Sequence, residues 1–202
     1  MENRAIAPWP AGRRDLHWHL LPKTVADREA LAGPYRELAR QPGLEPVDDE
    51  WLHVTVLHCG PHQDATAGEI QEIATRVREA VAGGGPVELT FARPQVGSVA
   101  LERAARPGVA TRRLWDVTRT ATTEVVGERW PLQPAAAYYP HVSLAYAGSQ
   151  ASLADRGVLK QLLSDIDAGE VTLVFSSLSL VSQWHDGRRI VWDSLVTVPL
   201  VE

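Results

Sequence analysis

The chain carries one pattern twice. Trp51-Leu-His-Val-Thr-Val-Leu-His-Cys-Gly60 is matched by Tyr138-Tyr-Pro-His-Val-Ser-Leu-Ala-Tyr-Ala-Gly148. Aligned on histidine, His53-Val54-Thr55-Val56 falls on His141-Val142-Ser143-Leu144, and Gly60 and Gly148 both come seven residues after their histidine. Both stretches are rich in β-branched and apolar residues and are bounded by turn-forming ones, so each predicts a β-strand. In a strand, positions i and i+2 share a face. His53 therefore lies beside Thr55, and His141 beside Ser143. An imidazole next to a hydroxyl, presented twice, suits a site that moves protons around a phosphate while hydrogen-bonding its oxygens.

Around these strands the periodicities predict further elements. Leu16–Leu21 reads as a strand and Asp27–Arg40 as a helix broken near Gly33-Pro34. Thr66–Ala82 is the clearest helix: Thr66 with Glu69 forms a capping box, and Ile70, Ile73, Ala74, Val77 and Val81 make one face. Val87–Ala92 and Val96–Leu101 read as strands, Val109–Val126 as a long helix and Leu153–Ile166 as a shorter one. Glu170–Gln183 and Arg189–Val198 read as strands joined through an Asp-Gly turn, a strong hairpin signal. Residues 1–13 read as an irregular arm. The order predicts an α+β fold in one domain spanning 1–202, with an internal duplication in which each half supplies one small sheet.

Charge narrows the function classes. Twenty Lys+Arg against 25 Asp+Glu give a formal charge of −5, which disfavours a protein that grips long duplex nucleic acid by neutralising many phosphates. Cys59 is the only cysteine, so neither an intramolecular disulfide nor a CxxC redox site can form. The N-terminal residues lack a signal-like apolar core, and no run of about 18 apolar residues occurs. The expectation is a cytoplasmic protein with no membrane association.

His53-Val54-Thr55 and His141-Val142-Ser143, with Pro140 before the second histidine and a glycine after each, resemble the two HxT/S signatures of the 2H phosphoesterases. That group contains 2′-5′ RNA ligases and cyclic nucleotide phosphodiesterases. The resemblance implies two pseudo-symmetric lobes, each a mainly antiparallel sheet with helices outside, around a central cleft. It implies His53 and His141 as the catalytic acid–base pair and Thr55 and Ser143 as phosphate-binding hydroxyls, with neither metal nor cofactor. It suggests His141 as base and His53 as acid for ring opening, roles that swap for ligation. The implied substrate is a nucleotide or RNA terminus with a 2′,3′-cyclic phosphate or 2′-5′ linkage, and the expected state is a monomer. A non-catalytic module holding the same ligands is the alternative.

Other residues carry weaker expectations. Tyr139 is the first candidate for stacking on a base, with Tyr138 and Trp184 behind it. Trp115 and Trp192 are expected in the core. Arg13, Arg14, Arg103 and Arg106 could form a positive rim, and Arg112-Arg113 an exposed helix face. His17, His19, His58 and His62 raise a metal site as a lesser alternative, and His185 is expected at the surface.

Overall fold

The computed structural model describes residues 1–2, 10, 12–132, 138–186 and 189–201. Its strands are β1 (Asp15–Leu20), β2 (Leu44–Pro46), β3 (Val54–Pro61), β4 (Val87–Phe91), β5 (Gln95–Val96), β6 (Ala100–Arg106), β7 (His141–Ala147), β8 (Val171–Phe175), β9 (Ser177–His185) and β10 (Ile190–Pro199). The helices are α1 (Val25–Ala32), α2 (Arg36–Ala39), α3 (Ala67–Val81), α4 (Gly108–Val126) and α5 (Arg156–Ser164). Two sheets form, ordered β10-β9-β1-β3 and β2-β7-β6-β4-β8, with β5 paired to β6. Every described strand pairing is antiparallel. Helices α3 and α4 pack together, with α4 against β3 and α3 against β10, while α1 meets β8 and α5 meets β5. Each sheet thus keeps its own helices outside, giving the two-lobed α+β architecture around a cleft. Among the described residues no helix is long and apolar enough to cross a membrane.

The local signals explain most elements. Thr66 caps α3 and accepts from the Glu69 N–H while the Glu69 carboxylate accepts from the Thr66 N–H, satisfying two otherwise orphaned donors. The five apolar positions of α3 are all buried. Helix α1 starts earlier than expected because Thr24 and Asp27 form a second capping box. The helix expected over 27–40 breaks at Gly33-Pro34 into α1, one tighter turn and α2. Asp155 caps α5 through the N–H groups of Gly157 and Val158, so that helix begins later than expected.

Two strand expectations need correction. The stretch expected as one strand over 170–183 is two strands belonging to different sheets. Val171–Phe175 pairs with β4, whereas Ser177–His185 pairs with β1 and β10. The apolar alternation slips by one residue here, from Val171, Leu173 and Phe175 to Leu178 and Leu180 across Ser176-Ser177, and that slip marks the crossing. The strand expected over 96–101 is β5, a turn at Gly97, and β6, which continues to Arg106. It follows that the lobes are interleaved in sequence: β1, β3, β9 and β10 make one sheet, and the intervening strands with β2 make the other. The two halves of the chain do not each fold into a sheet. Of the Asp-Gly turn, Gly187 lies outside the described residues. The strands it joins pair as expected, with Ile190 opposite His185. Of the N-terminal arm, residues 3–9 and 11 also lie outside them.

Arg103, expected as a candidate for a positive rim, is instead only 1% exposed. Its Nε donates to the Ala92 carbonyl at 2.7 Å, and its terminal nitrogens donate to Leu31 at 2.9 Å and to Phe91 and Gly169 at 3.1 Å, with Ala30 at 3.3 Å. The guanidinium thus joins the ends of α1 and β4 to the approach of β8. Burial lowers its pKa from the ordinary arginine value, yet only the planar five-donor group can serve carbonyls in this spread. Arg103→Leu should lower the unfolding free energy by about 3–5 kcal/mol, since several buried carbonyls lose their donors together. Urea unfolding measures this, and a loss under about 1 kcal/mol would contradict the assigned role.

Candidate functional site

The two histidines enter the fold at equivalent places. His53 is the residue before β3, and His141 is the first residue of β7. Nδ1 of His53 lies 2.8 Å from the carbonyl oxygen of Trp51, and Nδ1 of His141 lies 3.2 Å from that of Tyr139. In both cases the partner is the carbonyl two residues earlier. A carbonyl only accepts, so Nδ1 carries the proton in each ring, and Nε2 is the atom that exchanges one. Strands β3 and β7 belong to different sheets and touch across the seam between them. The Val47 N–H, donating to the Leu144 carbonyl at 2.9 Å, extends the pairing of β2 with β7 beside that seam.

Thr55 and Ser143 follow two residues on, where the pleat places them beside their histidines. Thr55 is half-buried and Ser143 buried. The cross-strand neighbour of Thr55 is His19 on β1, and that of Ser143 is Glu102 on β6. His19 and Glu102 therefore occupy corresponding positions in the two lobes. Their chemistry differs. The His19 ring stacks on His53 with centroids 4.2 Å apart, and the edge of Trp192 meets His53 at 4.8 Å. His19 is fully buried and neither ring nitrogen makes a hydrogen bond. Burial first, and the neighbouring imidazoles of His53 and His17 second, push its pKa well below the ordinary histidine value.

In the other lobe, Tyr139 stacks on His141 at 4.6 Å. The Tyr139 hydroxyl donates to one Glu102 oxygen at 2.7 Å, and the second Glu102 oxygen lies 4.0 Å from His141 Nε2. Burial, and then the Glu102 carboxylate, push the Tyr139 phenol up to about 12, which keeps it a donor at neutral pH. Tyr139 remains 50% exposed, so it packs on His141 and still offers surface to the cleft. Beside His53, a recess is lined by Trp51, Val47, Tyr146, Glu45 and the Arg189–Asp48 ion pair.

The remaining candidates fall elsewhere. Trp115 and Trp192 are buried as expected, and the Trp192 ring also walls His53. Tyr138 packs near Trp115, and burial pushes its phenol up to about 12. Trp184 lies under the Arg14 guanidinium at 3.7 Å. Arg13 pairs with Asp15, Arg14 with Asp193 and Arg106 with Glu170, so these arginines are engaged in ion pairs. Arg112 pairs with Asp116 along the exposed face of α4.

Of the extra histidines, Asp15, His17 and His58 bring ligand-type atoms within 4.8 Å of one another. His62 is engaged separately with Ser182 at 2.6 Å. The His17 and His58 rings lie stacked at 4.5 Å and 17°, which aims their in-plane lone pairs side by side and not at one point. Arg13 holds Asp15 with two 2.8 Å contacts, and His58 Nε2 adds a third at 2.8 Å. The arrangement is an ion pair with a ring stack; His17 then meets His19 edge-on at 5.5 Å, and His19 stacks on His53. Glu102 and the role of His19 were missed in the sequence, because both depend on strand register, which a local pattern does not show.

The glycine of each motif has a packing reason. A Cβ on Gly60 would collide with the Trp130 ring, and one on Gly148 would meet the Glu45 side chain. The Trp130 indole is buried and has nowhere to go, whereas Glu45 is a flexible chain. Gly60→Ala should therefore cost about 1–3 kcal/mol of stability and Gly148→Ala clearly less, as read from paired denaturation curves. Equal costs would show that the two glycines do not differ in this way.

The 2′-5′ RNA ligase superfamily model matches residues 26–186. Among solved structures, TT0787 of Thermus thermophilus superimposes with a TM-score of 0.67 at 20% identity, covering 92% of this chain and 97% of that one. LigT of E. coli complexed with 3′-AMP gives 0.64 at 15% identity, covering 94% and 99%. The same protein complexed with NADP+ gives 0.65 at 14% identity over the same shares. No curated protein sequence matches.

Proposed function

Since the chain belongs to the 2′-5′ RNA ligase superfamily, we propose that it is a 2H-type phosphoesterase acting on nucleotide or RNA-terminal phosphates. The finer reading is opening of a 2′,3′-cyclic phosphate, or making and breaking of a 2′-5′ linkage, by two-histidine acid–base catalysis. The observation that carries it is the doubled arrangement itself. Each lobe presents an imidazole whose Nδ1 is held by the carbonyl two residues before it, with a hydroxyl residue two places after. The E. coli LigT complexes with 3′-AMP, ATP and phosphate add support for a nucleotide phosphate as ligand.

Ring opening adds water to phosphorus and breaks the bond to one ribose oxygen. One imidazole, neutral at the start, takes the water proton as its oxygen bonds to phosphorus. The other, protonated at the start, gives its proton to the departing ribose oxygen. The proton count closes when both rings exchange with solvent. Imidazoles suit both tasks near neutral pH. The Thr55 and Ser143 hydroxyls are placed to donate to the non-bridging oxygens as charge builds there. Every step uses side chains of this chain. The acidic net charge favours small substrates or strand ends over long duplexes.

The test is turnover of 2′,3′-cyclic AMP and of a cyclic-phosphate-ended oligonucleotide, in EDTA, by wild type, His53→Ala and His141→Ala. Wild type should open at least one ring, and each variant should lose about 10²–10⁴-fold in kcat while remaining folded. Product analysis then identifies which ribose oxygen departs. A wild type that binds these ligands without turning them over would make the chain a binding module.

A further inference from the structure

The two lobes set different neighbours beside the motif hydroxyls: His19 on β1 lies across from Thr55, and Glu102 on β6 lies across from Ser143. The Glu102 side chain therefore shares the cleft face of the pleat with Ser143 and His141. One carboxylate oxygen accepts from the Tyr139 hydroxyl at 2.7 Å, and the other lies 4.0 Å from His141 Nε2. Tyr139 in turn stacks on the His141 ring, which holds the phenol, and through it the carboxylate, in place. Among the described residues no arginine or lysine pairs with Glu102. The arginines of the same strand are committed elsewhere: Arg103 donates to main-chain carbonyls on the opposite face, and Arg106 pairs with Glu170. In the recess beside His53, Arg189 is taken up by Asp48. An anionic group thus stands next to the atoms that would receive a phosphate.

Resting on the phosphoesterase reading above, we propose that Glu102 is a specificity-determining residue that makes the cleft sort phosphates by charge, accepting singly charged diesters and disfavouring doubly charged monoesters. A carboxylate beside a phosphate site weakens anion binding, and the penalty grows with the charge the ligand carries. A cyclic phosphate or a 2′-5′ linkage carries one negative charge. Ring opening turns it into a terminal monoester, whose second ionisation near about pH 6 brings it close to two charges at neutral pH, the released proton going to solvent. A phosphate oxygen hydrogen-bonded to His141 Nε2 would lie about 3 Å from that atom, and so within roughly 7 Å of the nearer Glu102 oxygen. At such a spacing each added unit of ligand charge changes affinity by on the order of tenfold, between the limits of water and protein interior. The carboxylate that tolerates the substrate therefore works against retention of the product, and the monoester leaves the site where the diester entered.

The test compares two ligands built on one nucleoside, 2′-deoxyadenosine 3′-phosphate and its methyl ester. They differ by one negative charge, and neither has the 2′-hydroxyl needed to close a ring. Titration calorimetry at about pH 8.5 keeps the monoester doubly charged and lies above the ordinary imidazole range, so the comparison turns on the ligand and on residue 102. Glu102→Gln removes the charge while keeping the shape, and Glu102→Asp keeps the charge. From wild type to Glu102→Gln, the monoester should gain about tenfold more affinity than the methyl ester gains, while Glu102→Asp stays near the wild-type ratio. Equal gains for the two ligands, or no gain for either, would overturn the inference and leave the phosphoesterase reading standing. A ratio that shifts as much in Glu102→Asp as in Glu102→Gln would also overturn it, because shape and not charge would then be the cause. If neither ligand binds any of the three proteins, the nucleotide-phosphate reading itself fails and this inference falls with it.

Discussion

The Arg103 guanidinium is the interaction on which the second lobe depends. Among the described residues this buried cation has no carboxylate as a hydrogen-bond partner, and it donates to main-chain carbonyls of Ala30, Leu31, Phe91, Ala92 and Gly169. Two of these sit at the end of α1, where unpaired carbonyls concentrate partial negative charge. The Tyr35 ring lies 5.3 Å away. A buried charge of this kind is tolerated only where desolvation is offset by several well-directed acceptors. The consequence reaches the cleft, because Arg103 is on β6 opposite Val142 of β7. The residue before it, Glu102, points to the other face of the pleat, toward Ser143 and His141. The buried face of β6 therefore locks the strand whose exposed face carries the carboxylate.

The cleft combines equal backbones with unequal surroundings. Fixing each Nδ1 by a carbonyl of its own chain makes the tautomer a local property, independent of what else touches the ring. The cross-strand neighbours of the two rings, by contrast, differ in chemistry: His19 in one lobe and Glu102 in the other. In one lobe a file of rings (His53, His19, His17, His58) leads away from the cleft and ends on the Asp15 carboxylate. In the other, a phenol and a carboxylate stand directly against His141.

What the sequence showed and what it hid follow from the range of each interaction. The paired motifs, the Thr66–Glu69 box and the buried face of α3 are set within a few residues, so local spacing exposes them. Gly33-Pro34 breaks its helix for an equally local reason. The division at Ser176 is a one-residue slip of the alternation, Val171, Leu173 and Phe175 giving way to Leu178 and Leu180, and the hydrogen-bond partners change there from β4 to β1 and β10. Arg103 looked like any surface arginine, since its acceptors come from carbonyls up to 73 residues away. Glu102 sits in a run of charged and small residues with weak strand propensity, and only the register of β6 on β7 gives it a place beside His141.

The interleaving of the lobes bears on how the site works. The chain passes from one sheet to the other between β1 and β2, between β2 and β3, between β3 and β4, and again between β8 and β9. The last passage is a single residue long, and the Leu200 N–H donates to the Ser176 carbonyl at that point, at 2.9 Å. Lobes joined by one linker would be expected to move relative to each other. Lobes tied by four crossings, the last a single residue long, and with β3 and β7 touching at the seam, resist such movement. In-line displacement at phosphorus needs an acceptor and a donor on opposite sides at a fixed spacing, and a bimolecular encounter gains most when that spacing is set before the substrate arrives. The crossing at Ser176 is thus one of the ties that hold the two sheets together.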